Sequence, residues 1–190
     1  MWPWEHLALG YLLVSVAYSV GSERRPTSAE ALVVVLGTQL PDLIDKPLAW
    51  TFSVLPSGLS LGHSLLFALP VSVAVLLYAR ARGRPWIGVA FGIAYGSHLL
   101  GDVLFTVLTG GGLVTGFLLW PLVPTTPDAG AGFAAQFVAL LGSFRTFLAT
   151  PTGRLYLLFE VGLLVSAALA WYRDGRPGFP RAQALSGRPD

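Results

Sequence analysis

The sequence predicts an all-helical integral membrane protein, a bundle of about five transmembrane helices with one further helix lying at the interface. Three observations carry this. The 190 residues are 54% hydrophobic and only 12% charged, with a mean hydropathy of +0.65, which is a membrane composition. The apolar residues gather into five runs, about His6 to Val20, Ser28 to Ile44, Leu61 to Ala79, Trp86 to Leu108 and Leu155 to Tyr172, near the length a bilayer demands. All six tryptophans, Trp2, Trp4, Trp50, Trp86, Trp120 and Trp171, fall at the ends of these runs or in the loops between them, where interfacial anchors belong.

The first run has no basic region before it and no clear small-residue cleavage site after it, so it reads as a retained helix rather than a removable signal. The first two runs are short. Between the fourth and fifth lies a Gly/Pro-rich stretch, Thr109 to Ala131. Gly132 to Leu148 follows, with Phe133, Phe137, Leu140, Phe144 and Phe147 at helical spacing. Gln136, Ser143 and Arg145 fall elsewhere around that helix, so it reads as interfacial or packed on the bundle rather than spanning. One membrane-embedded domain is expected over residues 1–173, and a disordered cytoplasmic tail, rich in Pro, Gly and Arg, over residues 174–190.

The basic residues set an orientation. Arg24, Arg25, Arg80, Arg82, Arg84, Arg173, Arg176, Arg181 and Arg188 fall on one side of the five runs, and only Lys46, Arg145 and Arg154 on the other. Basic loops face the cytoplasm, so a multi-pass protein of the cell membrane is expected, with its N-terminus outside and its C-terminus inside. No basic stripe suited to nucleic acid is present. Cysteine is absent, which excludes disulfides, thiolate metal sites and a Cys nucleophile.

With that orientation, every histidine and most of the acidic residues within the runs come to the outer leaflet. His6 opens the first run, Asp42 and Asp45 close the second, His63 opens the third, His98 and Asp102 lie in the outer half of the fourth, and Glu160 in that of the fifth. Asp42 with Asp45, and His98 with Asp102, stand three and four apart, the spacing by which helical bundles supply two ligands from one face. Ionisable groups at such depth cost about 2.5 to 3.5 kcal/mol each on insertion scales, so they persist only with partners or a ligand. Nitrogen and oxygen donors without sulfur suit a divalent metal, zinc above all, with manganese or iron as alternatives. Such an ion would bring the pKa of bound water toward about 7 and provide a hydrolytic nucleophile. His6, Asp42, His63, His98 and Asp102 are the expected ligands, and Asp45 or Glu160 a ligand or general base. Ser64 and Ser97 are candidate supporting donors. Two rival readings use the same residues: an ion or proton path, which would need polar groups in the inner halves of the runs, and a metal that only staples the helices.

In these residues the chain resembles the LexA-regulated, inner-membrane metal-dependent hydrolases, a family of small bacterial and archaeal membrane proteins. The likeness rests on His6 with Gly10 four on, Leu40-Pro41-Asp42 with Asp45 after it, His63-Ser64, His98 to Asp102, and Trp120-Pro121, in family order. Here the second Asp follows the first by three rather than the commoner two, and Gly58-Leu59-Ser60 stands where many relatives carry His-Arg-Gly. The family is distantly similar to zinc-dependent phospholipase C, which implies an all-helical metal site and phosphoester chemistry; independently, a site exposed to lipid favours a membrane lipid or other small molecule as substrate.

Overall fold

The computed structural model describes residues 1–128 and 132–179. Most of the expected tail, residues 180–190, lies outside the described residues. Among the described residues there are six α-helices and no strand: α1 (Pro3–Ser22), α2 (Ser28–Lys46), α3 (Leu65–Ala81), α4 (Pro85–Leu108), α5 (Phe133–Leu148) and α6 (Pro151–Arg173). A π-helical turn, Pro47–Thr51, continues α2, and a 3-10 turn, Gly116–Leu119, follows α4.

The helix ends are written locally. Proline opens α1, α4 and α6, where its missing N–H goes unused. The Glu5 carboxylate accepts from the Trp2 N–H at 2.6 Å. Thr27 and Glu30 form a reciprocal capping box on α2, at 3.3 and 2.8 Å, and Arg24 holds the same Glu30 at 3.0 Å. Ser64 caps α3 through the Leu66 N–H and Thr150 caps α6 through the Gly153 N–H.

α4 is the central helix. It packs on α1, α2 and α3, while α6 covers the far side of α1. Tyr11, Val14, Tyr18, Val34, Ala90 and Ala94 form one buried cluster. Ala68, Phe91, Tyr95 and Leu99 form another. The α1/α2 crossing is close because Gly10 has no side chain: a methyl there would run into Thr38 and Ser97. The outward faces are apolar instead of polar, with Leu32, Leu36, Leu69, Leu77, Leu158 and Leu169 exposed, the inversion expected of a surface solvated by lipid.

Two helices, α4 with 24 residues and α6 with 23, are long and apolar enough to cross a membrane. The five spans expected from the apolar runs are therefore reduced to two clear ones. The reason is physical: α1 begins with Glu5 and His6, α2 carries Glu30, Asp42, Asp45 and Lys46 within its 19 residues, and α3 is only 17 residues long. The polar groups that make the site also dilute the hydropathy of the helices that carry it. α5 has no buried residue and lies across one end of the bundle, with Phe144 edge-on to Trp2 at 5.0 Å and Phe133 beside Trp50 at 5.5 Å. Beyond α6, Gly178 N–H donates to Ser28 Oγ at 2.9 Å and Trp171 Nε1 to the Pro177 carbonyl at 3.1 Å, so residues 174–179 pack against the bundle.

α1, α3 and α6 run one way and α2 and α4 the other. That order brings the start of α1, the end of α2, the loop before α3 and the later half of α4 to one end. It brings Arg24, Arg80, Arg82, Arg84 and Arg173 to the opposite end.

Candidate metal centre

Four donor atoms converge at the end away from Arg24, Arg80, Arg82, Arg84 and Arg173. His63 Nε2 and His98 Nε2 are 3.0 Å apart. Asp102 Oδ2 lies 3.2 Å from the first and 3.4 Å from the second, and Asp42 Oδ1 lies 3.5 and 3.9 Å from them. A tetrahedral zinc site with bonds of about 2.0–2.1 Å has edges of roughly 3.3–3.4 Å, which the spacings among His63, His98 and Asp102 approach and those to Asp42 slightly exceed. His63 and His98 are fully buried, and Asp102 is 8% exposed.

The outer nitrogens decide what the inner ones can do. His98 Nδ1 faces the backbone carbonyl of Thr38 at 2.6 Å, and His63 Nδ1 faces Asp45 Oδ2 at 2.8 Å. Both partners are acceptors only, so each Nδ1 carries the proton and each Nε2 presents a lone pair. Two such lone pairs at 3.0 Å, with carboxylate oxygens beside them, suit a shared cation, a metal ion or a proton. Imidazoles backed by a carboxylate and a carbonyl are the arrangement that metal-binding histidines use. The Thr38 carbonyl lies beside a break in the helix ladder, since Pro41 inside α2 offers no N–H to the preceding turn.

His6 adds to this. Its ring stacks on His98 with centroids 3.7 Å apart. Its Nε2 is 3.2 Å from Asp102 Oδ1 but out of line for a hydrogen bond, so both of its buried nitrogens lack a hydrogen-bond partner. A buried imidazole left in that state is anomalous without a ligand. His6, His98 and Asp102 form one group of potential metal donors, and Asp42, His63 and His98 another, joined through His98. Asp102 Oδ1 also accepts from the Met1 amino group at 2.6 Å.

Asp45 stands behind the cluster, facing away from it. Fully buried, it accepts from the backbone N–H groups of Ser60, Gly62 and His63 at 2.8, 2.7 and 3.2 Å, as well as from the His63 ring. Its lone pairs are occupied by the loop that carries His63. Tyr95 fixes the same loop by donating to the Gly62 carbonyl at 2.7 Å, and Asp128 holds Gly58 N–H and Trp50 Nε1, both at 2.7 Å. Lys46 pairs with Asp42 Oδ2 at 2.5 Å, one turn back along α2.

Glu160 is not brought to the cluster. It accepts from Trp4 Nε1 at 2.7 Å, close to Glu5, whose carboxylate takes the Tyr156 hydroxyl. Among the described residues Arg145 and Arg154 make no ion pair with it. Ser64 donates to the Trp120 carbonyl and Ser97 to the Ala94 carbonyl; neither touches a donor of the cluster. Sequence reasoning missed Glu5, Tyr95, Asp128 and the Thr38 carbonyl. Glu5 was open to recognition as the third residue of a helix that starts at Pro3. A backbone carbonyl leaves no trace in a sequence.

The model of one protein family, described as YdjM inner membrane protein, matches residues 1–176 of the chain. No curated protein and no solved structure matches it.

Proposed function

Since the chain belongs to the YdjM inner membrane protein family, we propose that it is a membrane-bound hydrolase holding a divalent metal, zinc by preference over manganese or iron, on Asp42, His63, His98 and Asp102, with His6 as a further ligand. The observation that carries this is the pair of inner imidazole nitrogens 3.0 Å apart, each with its outer nitrogen committed to an acceptor. When bound, such a cation acts as a Lewis acid toward an ester oxygen and makes a coordinated water acidic near neutral pH.

The protein's own groups divide the remaining work. Asp45 and the Thr38 carbonyl hold His63 and His98 in the tautomer that leaves Nε2 free. With four donors already engaged, Asp45 is an orienting group rather than a base, and Glu160 stands too far to one side for that role. The expected substrate is a lipid or another membrane-associated phosphoester. In support, the outer faces of the helices are apolar, and α5 presents exposed Phe137, Val138 and Leu141 at the site end, an interfacial stripe beside the cluster. The resemblance to metal-dependent inner-membrane hydrolases points the same way. The arginine-rich end faces the cytoplasm and the cluster the opposite leaflet.

The burial of the donors favours one other reading, a metal that staples α1, α2 and α4 without catalysis, since structural sites are closed by their protein ligands. Metal analysis by mass spectrometry on detergent-purified wild type and on a His98→Ala, Asp102→Ala double variant tests the centre itself. About one equivalent in the wild type, lost in the variant, is expected; none in either after reloading would overturn the proposal. Phosphoester turnover in the wild type, abolished in the single His98→Ala variant with Tm little changed, separates the hydrolase from the staple, for which Tm collapses instead.

A further inference from the structure

Lys46 is the only lysine in the chain. Among the described residues it is also the only Lys or Arg side chain in contact with a proposed ligand. Its ammonium sits at 2.5 Å from Asp42 Oδ2, while the other oxygen of the same carboxylate, Oδ1, faces His63 and His98. The ammonium and the donor cluster are thus one carboxylate apart. The Lys46 side chain is 26% exposed against 11% for Asp42 and none for His63, so it stands at the boundary between the buried donors and the outside. Trp50, 5.7 Å from the ammonium, flanks it on the side of the π-helical turn. Arg145 and Arg154, the other basic residues at this end, make no ion pair among the described residues.

We infer that Lys46 is the anion-binding residue of this site, receiving the phosphoryl oxygens of a phosphomonoester or phosphodiester beside Asp42. This rests on the metal reading above and adds the substrate's charge to it. The chemistry favours it in two ways. Asp42, Asp45 and Asp102 together repel any anion that approaches the donors; the Met1 amino group offsets Asp102 from within, and the Lys46 ammonium offsets Asp42 from the more exposed side. A phosphoryl group also presents oxygens at a spacing close to that of a carboxylate, so it can meet an ammonium and a metal ligand set that already share one. Lysine is well matched to this role as a compact, strongly hydrated charge on a flexible stem. Its placement in the last turn of α2 also suits the helix dipole, and a lysine that does no more than that would leave phosphate binding untouched.

The test is calorimetric titration of inorganic phosphate into the full chain, loaded with zinc and held in detergent, for the wild type, Lys46→Gln and Lys46→Arg, with metal content measured on the same samples. The inference expects phosphate to bind the wild type, to weaken at least tenfold in Lys46→Gln, and to recover to within about threefold in Lys46→Arg, all three holding equal metal; losing one charge-assisted hydrogen bond accounts for about that much. Equal phosphate affinity in Lys46→Gln, or no phosphate binding by the metal-loaded wild type, overturns the inference and leaves the metal reading standing. Metal lost from Lys46→Gln makes Lys46 a positioning residue for Asp42 and also overturns it. A wild type that takes up no metal sinks both. Repeating the titration in phosphatidylcholine nanodiscs with and without phosphatidic acid distinguishes the sources: a lipid headgroup competes with phosphate in the wild type but not in Lys46→Gln, whereas a soluble phosphoester site is indifferent to the lipid.

Discussion

Asp45 illustrates how much a single side chain can do without offering an oxygen to the donor cluster. Its carboxylate gathers three backbone N–H groups of the loop before α3 and the ring of His63. Replacing it with Asn keeps the shape but turns an amide N–H toward donors that need an acceptor, and His63 is then free to take the other tautomer. Loss of such a supporting hydrogen bond typically weakens metal affinity 10- to 100-fold. Asp45→Asn is therefore expected to retain the ligands yet bind zinc about 10- to 100-fold more weakly in a competition titration against a chelator of known affinity; unchanged affinity would show that His63 is held by other means. The candidate ligands themselves were legible in the sequence, because ionisable residues inside apolar runs are rare and carry their own signal. Their division of labour was not. Asp42 and Asp45 sit three apart on one helix, and only the path of a loop fifteen residues later decides that one turns to the cluster and the other to the backbone of Ser60 and Gly62.

At the scale of helices, the site depends on how closely α1 approaches α2. Gly10, one turn after His6, faces Thr38, whose carbonyl orients His98, and also Ser97 beside it. A methyl at Gly10 overlaps both, so Gly10→Ala pushes α1 outward and carries His6 with it. Overpacking of this kind costs about 1–3 kcal/mol, and at roughly 2–4 °C per kcal/mol for a chain of this size the Tm falls by several degrees. Gly92→Ala in α4 and Gly162→Ala in α6 meet nothing within 4 Å and are expected to hold or raise Tm, since alanine is the better helix former. Equal melting of Gly10→Ala and these controls, in differential scanning fluorimetry, would mean that α1 has room to spare. The helices were legible from their apolar runs. Their number of clear membrane spans was not, because Glu5 at the start of α1, with His6, Asp42 and Asp45 at the candidate centre, lowers the hydropathy of α1 and α2. Glu160 was misplaced for a related reason: depth along α6 was readable, but not which face of the helix turns toward Trp4 and Glu5 and away from His98.

For the molecule as a whole, the division between a basic end and a His/Asp end is the property that the proposed function depends on. Five helices of alternating direction bring Arg24, Arg80, Arg82, Arg84 and Arg173 together at one end and all three histidines at the other. Basic residues are retained on the cytoplasmic side during insertion, so the proposed orientation opens the centre to the extracytoplasmic side, where it would meet outer-leaflet headgroups. The absence of cysteine makes the orientation directly measurable, because any single cysteine introduced is the only thiol in the chain. Thr51, exposed in the π-helical turn beside the cluster, and Ala81, exposed at the arginine end of α3, are suitable positions away from every proposed ligand. In intact cells a membrane-impermeant maleimide is expected to label Thr51→Cys fully and Ala81→Cys only after lysis. The reverse pattern would place the centre in the cytoplasm and shift the expected substrate to inner-leaflet or cytosolic phosphoesters, with the metal ligands unchanged. Labelling of both in intact cells would mean that α3 does not separate the two faces, and that the bundle is anchored by α4 and α6 while α3 lies along the interface.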